Sequence, residues 1–87
     1  MDYLNMFEKC EKSLEKKRGL YFAKGNRNNF VFRLACICNR YCMPEREFLR
    51  IASIKYQESS YTIAEIRAST QSAYQKNKNE HSKYIWK

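Results

Sequence analysis

The sequence predicts an all-α fold, one compact bundle of four helices, and three observations carry that prediction. Apolar residues recur at steps of three and four through four separate segments, the period of a helix face rather than of a strand. Two Gly and one Pro are too few for the repeated tight turns of a sandwich or barrel, which needs a turn every 8 to 12 residues. An apolar content of 44% in 87 residues supplies a single core. A chain of this size buries only roughly 60 to 65% of the surface its unfolded form exposes, so a second core has no material.

The first helix is expected over 2–18. Tyr3, Phe7, Cys10 and Leu14 step 4, 3, 4 with Leu4 beside them, and Glu and Lys fill the other positions. Lys16, Lys17 and Arg18 collect where the helix dipole favours cations, and Gly19 stops the helix with Leu20 placed to fold back on its last turn. Residues 21–25 read as a connector with an extended stretch at Tyr21, Phe22 and Ala23. The second helix is expected over 27–42. Asn26 offers a capping acceptor, and Phe30, Leu34, Ile37 and Tyr41 run beside Val31, Ala35, Cys38 and Cys42. Two parallel apolar series make this the central helix, with Asn29, Arg33, Cys36 and Arg40 left as a narrow outer stripe.

Pro44 fits the first turn of a third helix over 44–57, where its missing N–H costs nothing. Phe48, Leu49, Ile51, Ala52 and Tyr56 form its inner face, with Arg46, Arg50, Ser53 and Gln57 outside. Thr62 and Glu65 have capping-box spacing and open a fourth helix over 62–76, carrying Ile63, Ile66, Thr70, Ala73 and Tyr74. The domain is therefore expected to end at residue 76. Residues 77–87 form a tail in which Tyr84, Ile85 and Trp86 either dock on the bundle or wait for a partner.

The same inventory narrows the function. No apolar run approaches the ~20 residues of a membrane span, and no basic-then-apolar leader opens the chain, so a soluble, unprocessed cytoplasmic protein is expected. Cys36, Cys38 and Cys42 crowd into one apolar segment, which reads as reduced, buried thiols rather than a disulfide framework. Cys36 and Cys38 leave opposite sides of a helix, and only Cys38 and Cys42 share a face, so a zinc site is not expected. The single histidine, His81, falls in the tail, and the carboxylates are scattered over helix surfaces. No catalytic constellation, metal site or cofactor follows.

What remains is charge. Seventeen Lys and Arg against nine Asp and Glu give a net charge of +8, the sign that suits nucleic acid. Arg33 and Arg40 line the outer stripe of the second helix, and Arg46 and Arg50 that of the third. If the stripes adjoin, they make one phosphate-neutralising patch; if not, they are ordinary solvated faces. Lys24 and Arg27 flank Gly25 at the second helix entrance, where free backbone N–H groups can hold a phosphate. The same residues also describe a plain turn and cap, and Arg27 is placed to bond carbonyls ending a neighbouring helix.

The run Gly25-Asn26-Arg27-Asn28-Asn29-Phe30, followed by Leu34-Ala35, Asn39-Arg40, Glu65-Ile66, Thr70, Ser72, Ala73 and Tyr74, resembles a known family. It is similar to the small helical (PriCT-like) domain C-terminal to the catalytic domain in primases of plasmids and mobile elements, particularly in Bacteroidetes VirE-like primase proteins. The resemblance spans Tyr21 to Tyr74 and departs where the family has a glycine after the Asn-Arg pair, a place held here by Tyr41-Cys42. It implies a non-enzymatic accessory module that helps a primase engage its template, the catalytic metal lying in another domain. The expectation is thus a DNA-binding module, single-stranded or duplex, acting through Lys24, Arg27, Arg33, Arg40, Arg46 and Arg50. The rival is a docking module that contacts other domains of a replication protein and no nucleic acid.

Overall fold

Asp2 opens the first helix, α1 (Tyr3–Arg18), by accepting the Asn5 N–H at 3.0 Å. Gly19 closes it at φ 63°, its N–H reaching the Glu15 and Leu14 carbonyls. Leu20 then folds back, donating to the Leu14 carbonyl at 3.4 Å. The helices that follow are α2 (Arg27–Arg40), α3 (Glu45–Tyr56) and α4 (Ile63–Lys76), with a short 3₁₀ turn at Lys78–Glu80. The computed structural model describes residues 2–81 and 83, so the expected roles of Tyr84, Ile85 and Trp86 lie outside the described residues.

The four predicted helices are present, and their ends depart from expectation in instructive ways. Asn26 does not cap α2 with its side chain; its Nδ2 instead donates to the Tyr21 carbonyl at 2.9 Å, tying off the connector. Pro44 lies one residue before the first turn of α3, where its carbonyl accepts the Glu47 and Phe48 N–H groups at 3.0 and 3.1 Å. The hydroxyl half of the capping box forms, with Thr62 accepting the Glu65 N–H at 3.3 Å. Helix α2 ends at Arg40 rather than 42 because Cys42 takes a left-handed φ of 76°. That turn carries Cys42 off the face it would share with Cys38, leaving Cys38 buried and Cys42 exposed.

Phe30, Val31, Leu34, Ala35 and Cys38 of α2 are all fully buried, confirming its central position. It packs most extensively on α4 and less on α1 and α3. Ser69 meets Asn28 near one end and Asn77 meets Asn39 near the other, so α2 and α4 run in the same direction. From α1 the core takes Met6, Phe7, Cys10 and Leu14, with Leu4, expected inside, half exposed. Phe48, Ile51 and Tyr56 arrive from α3, and Ile66, Ala73 and Tyr74 from α4. Each large apolar side chain buried this way contributes about 1.5–3 kcal/mol.

Phe22 anchors the connector, its ring stacked 4.4 Å from that of Tyr56 and edge-on to Phe30. The Tyr56 hydroxyl donates to the Glu11 carboxylate, whose other oxygen accepts from Lys55 at 3.1 Å. Burial, and then Glu11, push the Tyr56 pKa far above the ordinary tyrosine range, so this α1–α3 tie stays a neutral donor. The Tyr74 hydroxyl bonds the Met43 carbonyl at 2.8 Å and fixes the α2–α3 turn against α4. The resulting radius of gyration is 11.9 Å, close to the ~12 Å expected of one compact domain of this length.

The fold also runs beyond residue 76, the expected limit of the domain. Asn39, fully buried, donates to the Asn77 carbonyl at 2.7 Å and accepts from His81 Nδ1 at 2.6 Å. Residues 77–81 are thereby fastened to α2 and belong to the folded unit.

The left-handed turn at Cys42 generates the first prediction. A side chain in that region costs roughly 1–2 kcal/mol that glycine avoids, partly offset by glycine's greater unfolded-state freedom. Cys42→Gly should therefore raise the thermal midpoint by a few degrees, and a lower midpoint would mean that the turn is not left-handed.

Candidate nucleic-acid interface

The six basic residues singled out by the sequence fall into three places. Arg33 and Arg40 stand together beside two adjoining clefts that share Leu14, Arg18, Ile37 and Arg40 in their walls. Lys24 and Arg27 sit at the N-terminal end of α2, about 20 Å from Arg40 and about 9 Å from Arg33 along the helix at 1.5 Å per residue. Arg46 and Arg50 lie exposed on α3. Among the described residues, the cleft walls come from α1, α2 with Tyr41, and the end of α4. The expected union of the α2 and α3 stripes is therefore not what flanks Arg33 and Arg40.

Arg27 must be set apart from nucleic-acid binding. Its side chain is only 14% exposed and is paired with Glu58, and it also donates to the Ser60 hydroxyl and carbonyl at 3.0 and 3.1 Å. The guanidinium also lies 5.2 Å from the centre of the Tyr61 ring. Glu58 and Tyr61 exchange backbone hydrogen bonds of 3.0 Å across the α3–α4 turn, and Arg27 clamps that turn. Three of its hydrogen bonds are made to its own chain. Arg50 is partly engaged as well, with Glu47 accepting at 3.0 and 3.3 Å on the same face of α3.

The clefts measure about 310 and 410 Å³. Their cations are Lys9, Lys17 and Arg18 from α1, Arg33 and Arg40 from α2, and Lys76 from α4. Arg18, Arg40 and Lys76 each occupy the last turn of their helix. Three helix C-terminal turns thus line one region, and the partial negative charge at each end favours cations there. The sequence shows the last-turn cations but not that three helix ends meet, so Arg18 and Lys76 could not be assigned to the site from sequence alone.

Between the cations the floor is apolar. Leu14 is buried, while Phe32, Ile37 and Tyr41 are partly buried against the core. Lys76 Nζ lies 5.7 Å from the centre of the Phe32 ring. Cys36 opens into the same cleft, its sulfur accepting from Asn77 Nδ2 at 3.2 Å. Burial raises its thiol pKa despite the pull of Arg40 and Arg33, so the sulfur is protonated at neutral pH and a poor nucleophile.

One carboxylate enters this basic field. Glu80 accepts from Arg40 Nε at 3.0 Å and lies 3.6 Å from Lys83 Nζ. The Arg40 hydrogen bond is the main reason that Glu80 titrates below the ordinary glutamate range. The buried Asn39 fastens the segment that delivers it, since residues 77 and 81 are the ones it bonds.

No protein family, curated protein or solved structure matches this chain. Among the described residues, no helix is long and apolar enough to cross a membrane.

Two outcomes are expected from this geometry. Arg27→Ala should cost about 1 kcal/mol of folding stability, because it removes the hydrogen bonds and the Tyr61 ring contact that hold the α3–α4 turn while leaving solvent-accessible acceptors that water can serve; chemical denaturation with an unchanged midpoint would contradict the clamp. Because the folded-state pKa of Glu80 is lowered, the Arg40 contact favours folding above the ordinary glutamate range and is lost as pH falls through the lowered value. A carboxyl-carbon NMR titration should place Glu80 below the ordinary glutamate value, and Arg40→Ala should return it there.

Proposed function

We propose that this domain is a non-catalytic helical accessory module of a mobile-element primase or replication protein, and that it binds nucleic-acid phosphates on a basic helical surface. The observation that carries the reading is the convergence of Arg18, Arg33, Arg40 and Lys76 on adjoining clefts, in a chain of net charge +8. Cations on three elements around a concave surface suit a polyanion better than charges spread over a convex one, because several phosphates meet several cations at once. The primase assignment rests on the resemblance of residues 21–74, and the phosphate-binding assignment on the clefts.

Within this reading Arg33 and Arg40 neutralise phosphates, joined by Arg18 and Lys76, which the sequence did not single out. Lys24 at the far end of α2 and Arg46 and Arg50 on α3 lie outside the clefts and add to the long-range field. Arg27 has a structural role.

Fluorescence anisotropy with labelled DNA at ~50 and ~200 mM salt tests this, because each neutralised phosphate contributes about 0.7 (single strand) to 0.9 (duplex) to the log–log salt slope. Replacing both Arg33 and Arg40 by Ala should weaken binding and lower the slope by about 1.4 to 1.8, while the melting midpoint falls by no more than the loss of the solvated Arg40–Glu80 pair, since Arg33 is exposed. Unaltered affinity in that variant would remove the clefts from consideration. Absence of binding at either salt would favour the docking-module reading.

A further inference from the structure

Phosphate contact alone leaves the apolar floor of the clefts without a role. Phe32 lies in the larger cleft and Tyr41 in the smaller, each partly buried and each in a cleft that Arg40 also lines. Their positions are nine residues apart along and just past α2, about 13 Å at the helical rise. Each cleft, at about 410 and 310 Å³, lies near the lower end of the ~300–1,000 Å³ of small-molecule sites.

A duplex offers these clefts only its charged backbone, and pressing phosphates against Leu14, Ile37 and Phe32 would strip them of water without return. A single strand offers something else. Its unpaired bases have apolar π-faces that stack on aromatic side chains, while its phosphates stay available to Arg and Lys. A concave apolar floor rimmed by Arg18, Arg33, Arg40 and Lys76 is complementary to both parts of that ligand.

We infer that the occupant of the two clefts is single-stranded nucleic acid, with one unpaired base on Phe32, a second on Tyr41, and the intervening phosphates on Arg33 and Arg40. The inference rests on the proposed phosphate-binding role and names the ligand class of that same site. Lys76, whose ammonium lies over the Phe32 ring in the unbound protein, gives up that position to the base and turns to a phosphate. Arg40 stands in both cleft walls and so serves the phosphate between the two bases. No base identity is selected, since stacking uses a face that every base has.

The test uses the full chain and three labelled DNAs of equal length: an oligothymidine strand, the same strand with abasic residues throughout, and a mixed-sequence duplex. All three carry phosphates, and only the first presents unpaired bases. The intact strand should bind at least tenfold more tightly than the abasic strand and than the duplex. Phe32→Leu, which keeps apolar volume but removes the ring, should weaken binding to the intact strand about fivefold, a clearly larger loss than it causes for the abasic strand. Arg33→Ala should weaken all three. Equal affinity of the unaltered protein for intact and abasic strands would overturn this inference and leave the phosphate reading standing. Failure to bind any of the DNAs would overturn both. The first comparison needs no variant, so a poorly folded Phe32→Leu protein would not rescue the idea.

Discussion

Burial of α2 is the constraint on which the rest of the structure depends. A domain of this size has material for one core, and here that core is built by covering α2 along most of its circumference, with α4, α1 and α3 packed around it. Everything polar on α2 must then either leave through the gap between α1 and α4 or find a partner inside. Arg33 and Arg40 take the gap. Asn39 takes the second route, and its buried amide is satisfied by residues 77 and 81, which extends the fold past its fourth helix. The amide orientation follows from these bonds: one side must donate to a carbonyl, so the oxygen faces His81 and Nδ1 is the donor of that bond.

The gap is electropositive for a reason that precedes any function. Basic residues at helix C-termini are stabilised by about 0.3–1 kcal/mol each through the helix dipole, and the packing brings the last turns of α1, α2 and α4 to one region. Local preference and tertiary geometry together concentrate charge that neither would concentrate alone. The concentration has a cost, since like charges around a half-buried groove repel one another more than they would in open water. Glu80 relieves part of that repulsion at Arg40, and a bound polyanion would relieve more of it.

The helices were legible because their periodicity is strong and their limits are local. The four-residue steps of Phe30, Leu34 and Cys38, the αL position at Gly19 and the Thr62 cap each need only a few neighbouring residues to be read. Asn39 was also within reach, because it stands four after Ala35 and eight after Val31, on the face that α2 buries. It was passed over because asparagine reads as a surface residue, and only a tertiary partner overrides that preference. Asn26 failed in the opposite sense: a good capping residue was drawn to the Tyr21 carbonyl, a choice set by where the connector runs. For the site, Arg33 and Arg40 were visible as a stripe on one helix, whereas Arg18 and Lys76 depend on contacts between helices 58 residues apart in number. Arg27 carried two readings, phosphate ligand and donor to carbonyls ending a neighbouring helix; the Ser60 carbonyl just past α3 agrees with the second, while Glu58 is too distant in the sequence to be read as its ion-pair partner.

A division of labour among the arginines follows from solvent access rather than from residue type. The Arg27 side chain is 14% exposed and is bonded to groups of its own chain, so its removal takes away the tie that holds the α3–α4 turn and the loss falls on stability. Arg33 is exposed and, among the described residues, donates to Asn29 at 3.4 Å on its own helix, so its removal costs the fold little and the loss falls on whatever it meets from outside. Arg40 stands between the two, its side chain 30% exposed and paired with Glu80. That intermediate state is what a binding residue in a small domain requires. The internal carboxylate keeps the guanidinium oriented and partly neutralised without ligand, and because the pair is still solvated the exchange for a phosphate oxygen demands no large desolvation. A deeper pair would stabilise one arrangement too firmly to exchange, and an unpaired arginine would lose more side-chain freedom on binding.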